Sequence, residues 1–159
     1  MTTNLKLTHQ QNLYDIDFYL WIVTTAQLLR DHKFDELDLD NLIEEIEDMG
    51  KDKRRELKSR LVVLLMHLLK YQYQPERRSS SWRGTILEQR RQIESLLKDS
   101  PSLKPYYLEV FADVYKNAVV DASAETLLPA QTFPVESPFL PEDVINSNFI
   151  VSLVTQEEV

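Results

Sequence analysis

The sequence predicts an all-α fold: a bundle of four to five helices around one buried central helix (about 57–73), with a proline-rich extended C-terminal strap. Three observations predict it. Glycine occurs only at Gly50 and Gly84, which disfavours the tight turns of all-β folds and favours helices joined by Asp, Ser and Pro loops. Apolar residues recur at three- and four-residue steps in several separate stretches, the signature of helices with a core-facing side. Pro129, Pro134, Pro138 and Pro141 fall within thirteen residues, a spacing no helix survives.

The central helix is the stretch Arg60 to Gln74, RLVVLLMHLLKYQYQ. Leu57, Leu61, Leu64, Leu68 and Tyr71 mark one face, and Val62, Leu65, Met66 and Leu69 fill the opposite one. A helix apolar all round is a buried helix. Its apolar run is nine residues, interrupted only by His67, whereas crossing a bilayer takes about 20. The burial is therefore expected within protein, and no membrane partner is expected.

Residues 1–13 are polar and predict a flexible arm, 14–128 the helical bundle, and 129–159 a strap docked on it. The first helix is expected from about Asp15 to Arg30, with Tyr14, Phe18, Trp21, Ile22, Thr25, Leu28 and Leu29 at helical spacing and Trp21 in the core. Asp38 suits a cap, with Leu37 and Leu42 at staple spacing, ahead of the stripe Leu39, Leu42, Ile43, Ile46, Met49. Gly50 then offers a helix end. The seam nonetheless stays in phase through Lys53 and Leu57, so the alternative is one helix of about 33 residues, near 50 Å long. That length favours a break or kink at Gly50.

Pro75 ends the central helix, and Ser80 or Ser81 is expected to cap the next, which carries Trp82, Ile86, Gln89, Ile93, Leu96 and Leu97. Ser102 is expected to cap a further helix, with Pro105 in its first turn and Leu103, Tyr107, Val110, Phe111, Val114 and Ala118 inward. Past Leu128 the strap holds Phe133, Phe139 and Leu140, with a helical turn after Pro141. The closing FIVSLV reads as a strand or as apolar residues docking on the bundle.

The net charge of −8 conceals a division. Eight acids and no base lie between Asp35 and Asp48, while Lys51 to Arg91 holds twelve of the eighteen Lys and Arg against four acids. Such runs are usually solvated faces, and these two can neutralise each other across neighbouring helices or a dimer. The absence of cysteine excludes disulfides, zinc-thiolate sites and cysteine nucleophiles. MTTNLKLTHQQN has neither an apolar core nor a basic leader, so no signal peptide and a cytoplasmic location are expected.

Several of these segments resemble a known family in order and content. They are DFYLW (Asp17 to Trp21), LDLDNLIEEIEDMG (Leu37 to Gly50), HLLKYQYQPERRSSSW (His67 to Trp82), QRRQI (Gln89 to Ile93) and DSPSL (Asp99 to Leu103). Together they resemble the uncharacterised bacterial family called domain of unknown function twenty-nine, over roughly residues 14 to 145. The resemblance implies an all-helical bundle with no agreed activity or cofactor. It also implies recurring positions at Trp21, Glu44, Glu45, His67, Lys70, Trp82 and Arg90.

Two glycines cannot compose a phosphate-binding loop, and no nucleophile-elbow motif is present, so no cofactor is expected. The chemical candidates are Glu44, Glu45 and His67, as ligands and base of a metal-dependent hydrolase, although the paired Glu-x-x-His pattern of di-iron bundles is missing. A buried His67 could equally be structural. Arg77, Arg78 and Arg90, with Trp82, Arg83 and Arg91, mix cations and an aromatic as single-strand nucleic-acid binders do. The leading expectation is a protein-interaction module without catalytic activity, acting as a homo-oligomer or on an unidentified partner. Nucleic-acid association through Arg77 to Arg91 and metal-dependent hydrolysis are the alternatives.

Overall fold

The first long helix begins at an aspartate. Asp17 has an extended backbone, and its carboxylate accepts from the Leu20 amide at 2.9 Å, which satisfies one of the free N–H groups of the first turn. The structure is a computed structural model that describes residues 13–146, 148 and 149. Residues 13–16 are helical too, so the break before the first long helix falls at Asp17 itself, two residues past the expected start. The described residues form helices and connecting turns with no strand, and the all-α expectation holds.

The long helices are α1 (Phe18–Arg30), α2 (Leu39–Tyr73), α3 (Ser80–Asp99) and α4 (Lys104–Thr126), followed by the short α5 (Pro141–Val144). The chain divides into two compact units, Met1–Asp52 and Lys53–Val159. Residues of α2 belong to each.

In the N-terminal unit, α1 ends with His32 in the left-handed region at φ 57. Its amide donates to Leu29 O at 3.2 Å and that of Lys33 donates to Leu28 O at 2.9 Å, the paired bonds of a Schellman closure. Asp38 caps α2: its carboxylate accepts from the Asn41 side-chain amide at 2.7 Å and more weakly from the Asn41 backbone at 3.5 Å.

No break occurs at Gly50. α2 runs uninterrupted for 35 residues, about 52 Å at 1.5 Å per residue. Gly50 has no positive φ and nothing lies within 4 Å of where its Cβ would be. Neither a left-handed cap nor a close approach requires glycine there, and the Glu, Lys and Arg residues on both sides are good helix formers.

In the C-terminal unit the stretch around Leu61 to Leu69 is buried as expected. Leu57, Leu61, Leu64, Leu65, Leu68 and Leu69 are fully covered. They share one core with Ile86, Ile93 and Leu96 of α3, with Tyr107, Phe111, Val114, Tyr115 and Ala118 of α4, and with Phe133, Phe139 and Val144 beyond it. The strap is pinned by hydroxyls to proline carbonyls, which remain acceptors although proline has no N–H. Tyr115 donates to Pro134 O at 2.6 Å and Tyr107 to Pro141 O at 2.7 Å.

Two caps differ from expectation. Ser79, with extended backbone, caps α3 by accepting from the Trp82 amide at 3.2 Å, in place of Ser80 or Ser81. Ser102 caps nothing, because a 3-10 turn over Pro101–Leu103 runs straight into α4 and leaves no extended residue at the junction. The expected arm up to residue 12, and most of FIVSLV, lie outside the described residues. Among the described residues no helix is long and apolar enough to cross a membrane.

Candidate docking surface

From Phe18 to Leu29 α1 carries no charged residue. By the reasoning that buries the middle of α2, it too should be covered on every side. It is not. Only Trp21, Thr25 and Leu28 are buried, while Phe18, Tyr19, Leu20, Ile22, Val23 and Leu29 are exposed. The stripe on the first turns of α2 is open as well: Leu39, Ile43 and Ile46 are exposed, and Met49 is 68% accessible. Contiguous apolar surface open to solvent is uncommon on monomeric proteins.

Between the two helices runs a groove of about 380 Å³. Its walls are Phe18, Ile22, Ala26 and Leu29 of α1 and Leu42, Ile46 and Met49 of α2, with Trp21, Thr25 and Glu45 completing the lining. Aromatic packing joins Tyr14 to two of the lining residues. The Tyr14 ring stands edge-on to Phe18 at 5.6 Å and to Trp21 at 5.0 Å, and Phe18 stacks on Trp21 at 5.8 Å. The Tyr14 hydroxyl donates to Glu45 Oε1 at 2.6 Å. That bond, then burial, then the charges of Glu45, Glu44 and Asp48 push the Tyr14 phenol up to about 12.

The surroundings of the groove are acidic. Residues 13–52 contain twelve Asp and Glu against Arg30, Lys33 and Lys51, a net charge of −9 with His32 neutral.

A model of the family described as "Domain of unknown function DUF29" matches residues 13–150. The chain belongs to that family. No curated protein and no solved structure matches it. The DUF29 match spans both compact units, and the recurring positions implied by the resemblance fall in two settings. Trp21 and Glu45 line the groove of the N-terminal unit, where Glu44 is exposed. His67, Lys70, Trp82 and Arg90 lie in the C-terminal unit.

There, His67 is half-buried and donates from Nδ1 to the Val63 carbonyl at 2.9 Å, one turn back on its own helix. Burial, foremost, lowers its pKa below the usual 6.5, which keeps the imidazole neutral. Lys70 is buried with its ammonium 2.5 Å from Glu125 Oε2 and 4.6 Å from the centre of the Trp82 ring. Among the described residues no group of three or more His, Asp and Glu is placed to share a metal ion.

The arginines expected to form a basic face are differently employed. Arg78 folds inward, giving Nε to Tyr71 O at 2.6 Å and laying its guanidinium 4.5 Å from the Tyr71 ring. Arg91 pairs with Glu88 at 3.0 Å. Arg90 is partly buried, with Nε and Nη1 making no hydrogen bond among the described residues. Arg77 and Arg83 are exposed. Lys51 and Asp48 form an ion pair at 3.2 Å at the junction of the acidic and basic runs.

The open groove itself was not foreseen. Its signal in the sequence was the uncharged length of α1, too apolar for a helix with one buried side.

Proposed function

We propose that the protein is a cytoplasmic protein-interaction module without catalytic chemistry of its own, and that its N-terminal unit docks a basic amphipathic helix from a partner protein. The observation that carries this reading is a helix uncharged from Phe18 to Leu29 and left open beside an open apolar stripe, with a groove between them in a unit of charge −8 with His neutral. Helix-in-groove recognition buries an apolar stripe between two helices, and opposite charge around it sets orientation and speeds encounter.

Charge decides among the occupants. A second copy would bring its own N-terminal unit, and two units of charge −8 repel. Its basic run, Lys53 to Arg60, offers no exposed apolar residues to fill a groove, because Leu57 is fully buried. An anionic lipid surface is repelled by the same acids. For nucleic acid, Arg77, Arg83 and Arg91 stay exposed while Arg78 and Arg90 are partly buried, which leaves a smaller basic face than expected.

The test uses a synthetic peptide of roughly 18 residues, five helical turns, with leucine at i, i+3, i+4 and i+7 and lysine elsewhere. A scrambled peptide of equal composition is the control. The striped peptide should bind at least about tenfold tighter, weaken with salt, and lose binding to Ile46→Asp and Met49→Asp, two changes at exposed positions. Equal binding of both peptides, or binding indifferent to the variants, contradicts docking in the groove. Three other results would each overturn the assigned occupant: a dimer by light scattering that the same variants dissociate, tighter binding to phosphatidylcholine vesicles than to the peptide, or peptide binding that appears only after residues 1–12 or 150–159 are removed.

A further inference from the structure

Lining the groove are two residues whose buried polar atoms have no hydrogen-bond partner among the described residues. Trp21 Nε1 and Thr25 Oγ1 are both buried, in residues 2% and 3% accessible, and neither makes a hydrogen bond among the described residues. The two residues stand four apart on α1 and so share one face, and both line the groove. Buried polar groups are ordinarily satisfied, and an unsatisfied pair in one small apolar site is a demand for a ligand's hydrogen bonds.

We propose that Trp21 and Thr25 together read one side-chain carboxamide, Asn or Gln, presented from the middle of the docked helix's apolar stripe. This rests on the docking reading given above. The indole N–H can only donate, and the hydroxyl can donate or accept. A carboxamide answers both, its oxygen accepting from Trp21 and its NH₂ donating to Thr25, and it carries no charge. A carboxylate could accept from both but would enter a unit of net charge −8, with Glu45 on the same wall. An ammonium has no acceptor for the indole.

Access needs no movement of the helix backbones. Phe18 lies stacked over the indole and is itself exposed, as are Ile46 and Met49. Exposed side chains change rotamer in picoseconds to nanoseconds, so the cover can part as the partner seats. A site built to hydrogen-bond a polar group then discriminates against a ligand that lacks it, because the site's own groups stay unpaired.

The experiment compares the striped basic peptide carrying leucine at its centre with the same peptide carrying glutamine there. Both are measured on the full chain and on Trp21→Phe, which keeps an aromatic ring of smaller volume, and Thr25→Val, which keeps the shape, each removing the polar atom. The ratio of the two dissociation constants should shift by about fivefold to tenfold in favour of the leucine peptide in either variant. The Trp21 indole N–H resonance, distinguished from Trp82 by the variant, should move on adding the glutamine peptide and stay in place with the leucine peptide.

An unchanged ratio with tight leucine-peptide binding throughout would overturn the carboxamide reading and leave docking standing. Failure of the leucine peptide to bind the unaltered chain would remove docking, and this inference with it. If both variants simply became more heat-stable while the ratio and the resonance stayed fixed, the two atoms would be buried defects of the fold and the inference would fall.

Discussion

Tyr14 and Glu45 are joined by a 2.6 Å hydrogen bond that spans 31 residues of sequence, the phenol donating and the carboxylate accepting. The bond ties the residues ahead of α1 to the acidic stretch of α2 and fixes the ring that stands edge-on to Phe18 and Trp21, both in the groove wall. The Tyr14 pKa is raised above its usual 10.0, so the stability this bond contributes is complete below about pH 10 and is lost as pH climbs through about 12. Carbon NMR of the ring should show Tyr14 titrating near 12, and Glu45→Gln should bring the midpoint down towards 10. A midpoint indifferent to Glu45→Gln would show that the Glu45 carboxylate is not its main cause.

Lys70 and Glu125 should respond unequally to removal of one partner. The Lys70 side chain is 8% accessible and Glu125 is 51% accessible. Glu125→Gln strips a buried ammonium of its counter-ion, leaving it the face of Trp82, and is expected to cost about 1 to 3 kcal/mol, towards the lower end because water reaches the site from the Glu125 side. Lys70→Met removes the charge and keeps the apolar stem, and should fall within about 1 kcal/mol of the unaltered chain. Urea unfolding of both variants checks the order, and a larger loss for Lys70→Met would reverse it.

Leu65 reports on the core of the C-terminal unit. It is fully buried, one helical turn past Leu61 at the edge of the seam of Leu57, Leu61, Leu64 and Leu68, so Leu65→Ala leaves a cavity and should cost about 2 to 5 kcal/mol in chemical unfolding. A loss below about 1 kcal/mol would mean that this face is not packed.

Leu127 is expected to give the opposite sign. It ends α4 at φ 59 with 90% of its surface accessible, so its side chain is strained by the left-handed backbone and packs against little. Leu127→Gly should raise stability by about 0.5 to 1 kcal/mol, the relief of strain exceeding the added freedom of the unfolded chain. Leu127→Val should lower it, since a β-branched residue suits that conformation still less. Thermal melts of the two variants should move in opposite directions.

Sequence patterning made the core of α2 legible because nine residues with a single polar interruption admit one environment. The burial of Trp21, Phe133 and Phe139 was legible on similar grounds. Periodicity identifies which side of a helix is apolar, yet it cannot say whether anything covers that side. The stripe Leu39, Ile43, Ile46, Met49 therefore looked like a core face and stands open. Gly50 misled because glycine after an apolar stripe usually marks a helix end, whereas here the charged residues around it favour helix and no left-handed residue is needed. Arg78 turned inward to the Tyr71 carbonyl through a tertiary contact for which seven residues of spacing give no sign. The unpartnered Trp21 Nε1 and Thr25 Oγ1 were equally invisible, since a residue in mid-stripe is ordinarily satisfied.

Binding calorimetry of the striped basic peptide at several temperatures tests the central claim most directly, because the heat-capacity change reports apolar surface leaving water while salt screens only the charges. Docking in the groove predicts a clearly negative heat-capacity change that persists as salt rises and shrinks in Ile46→Asp. Binding with a heat-capacity change near zero, or one that Ile46→Asp leaves unaltered, would mean that peptide and acids meet by charge alone and that the open face of α1 and α2 is not a docking surface.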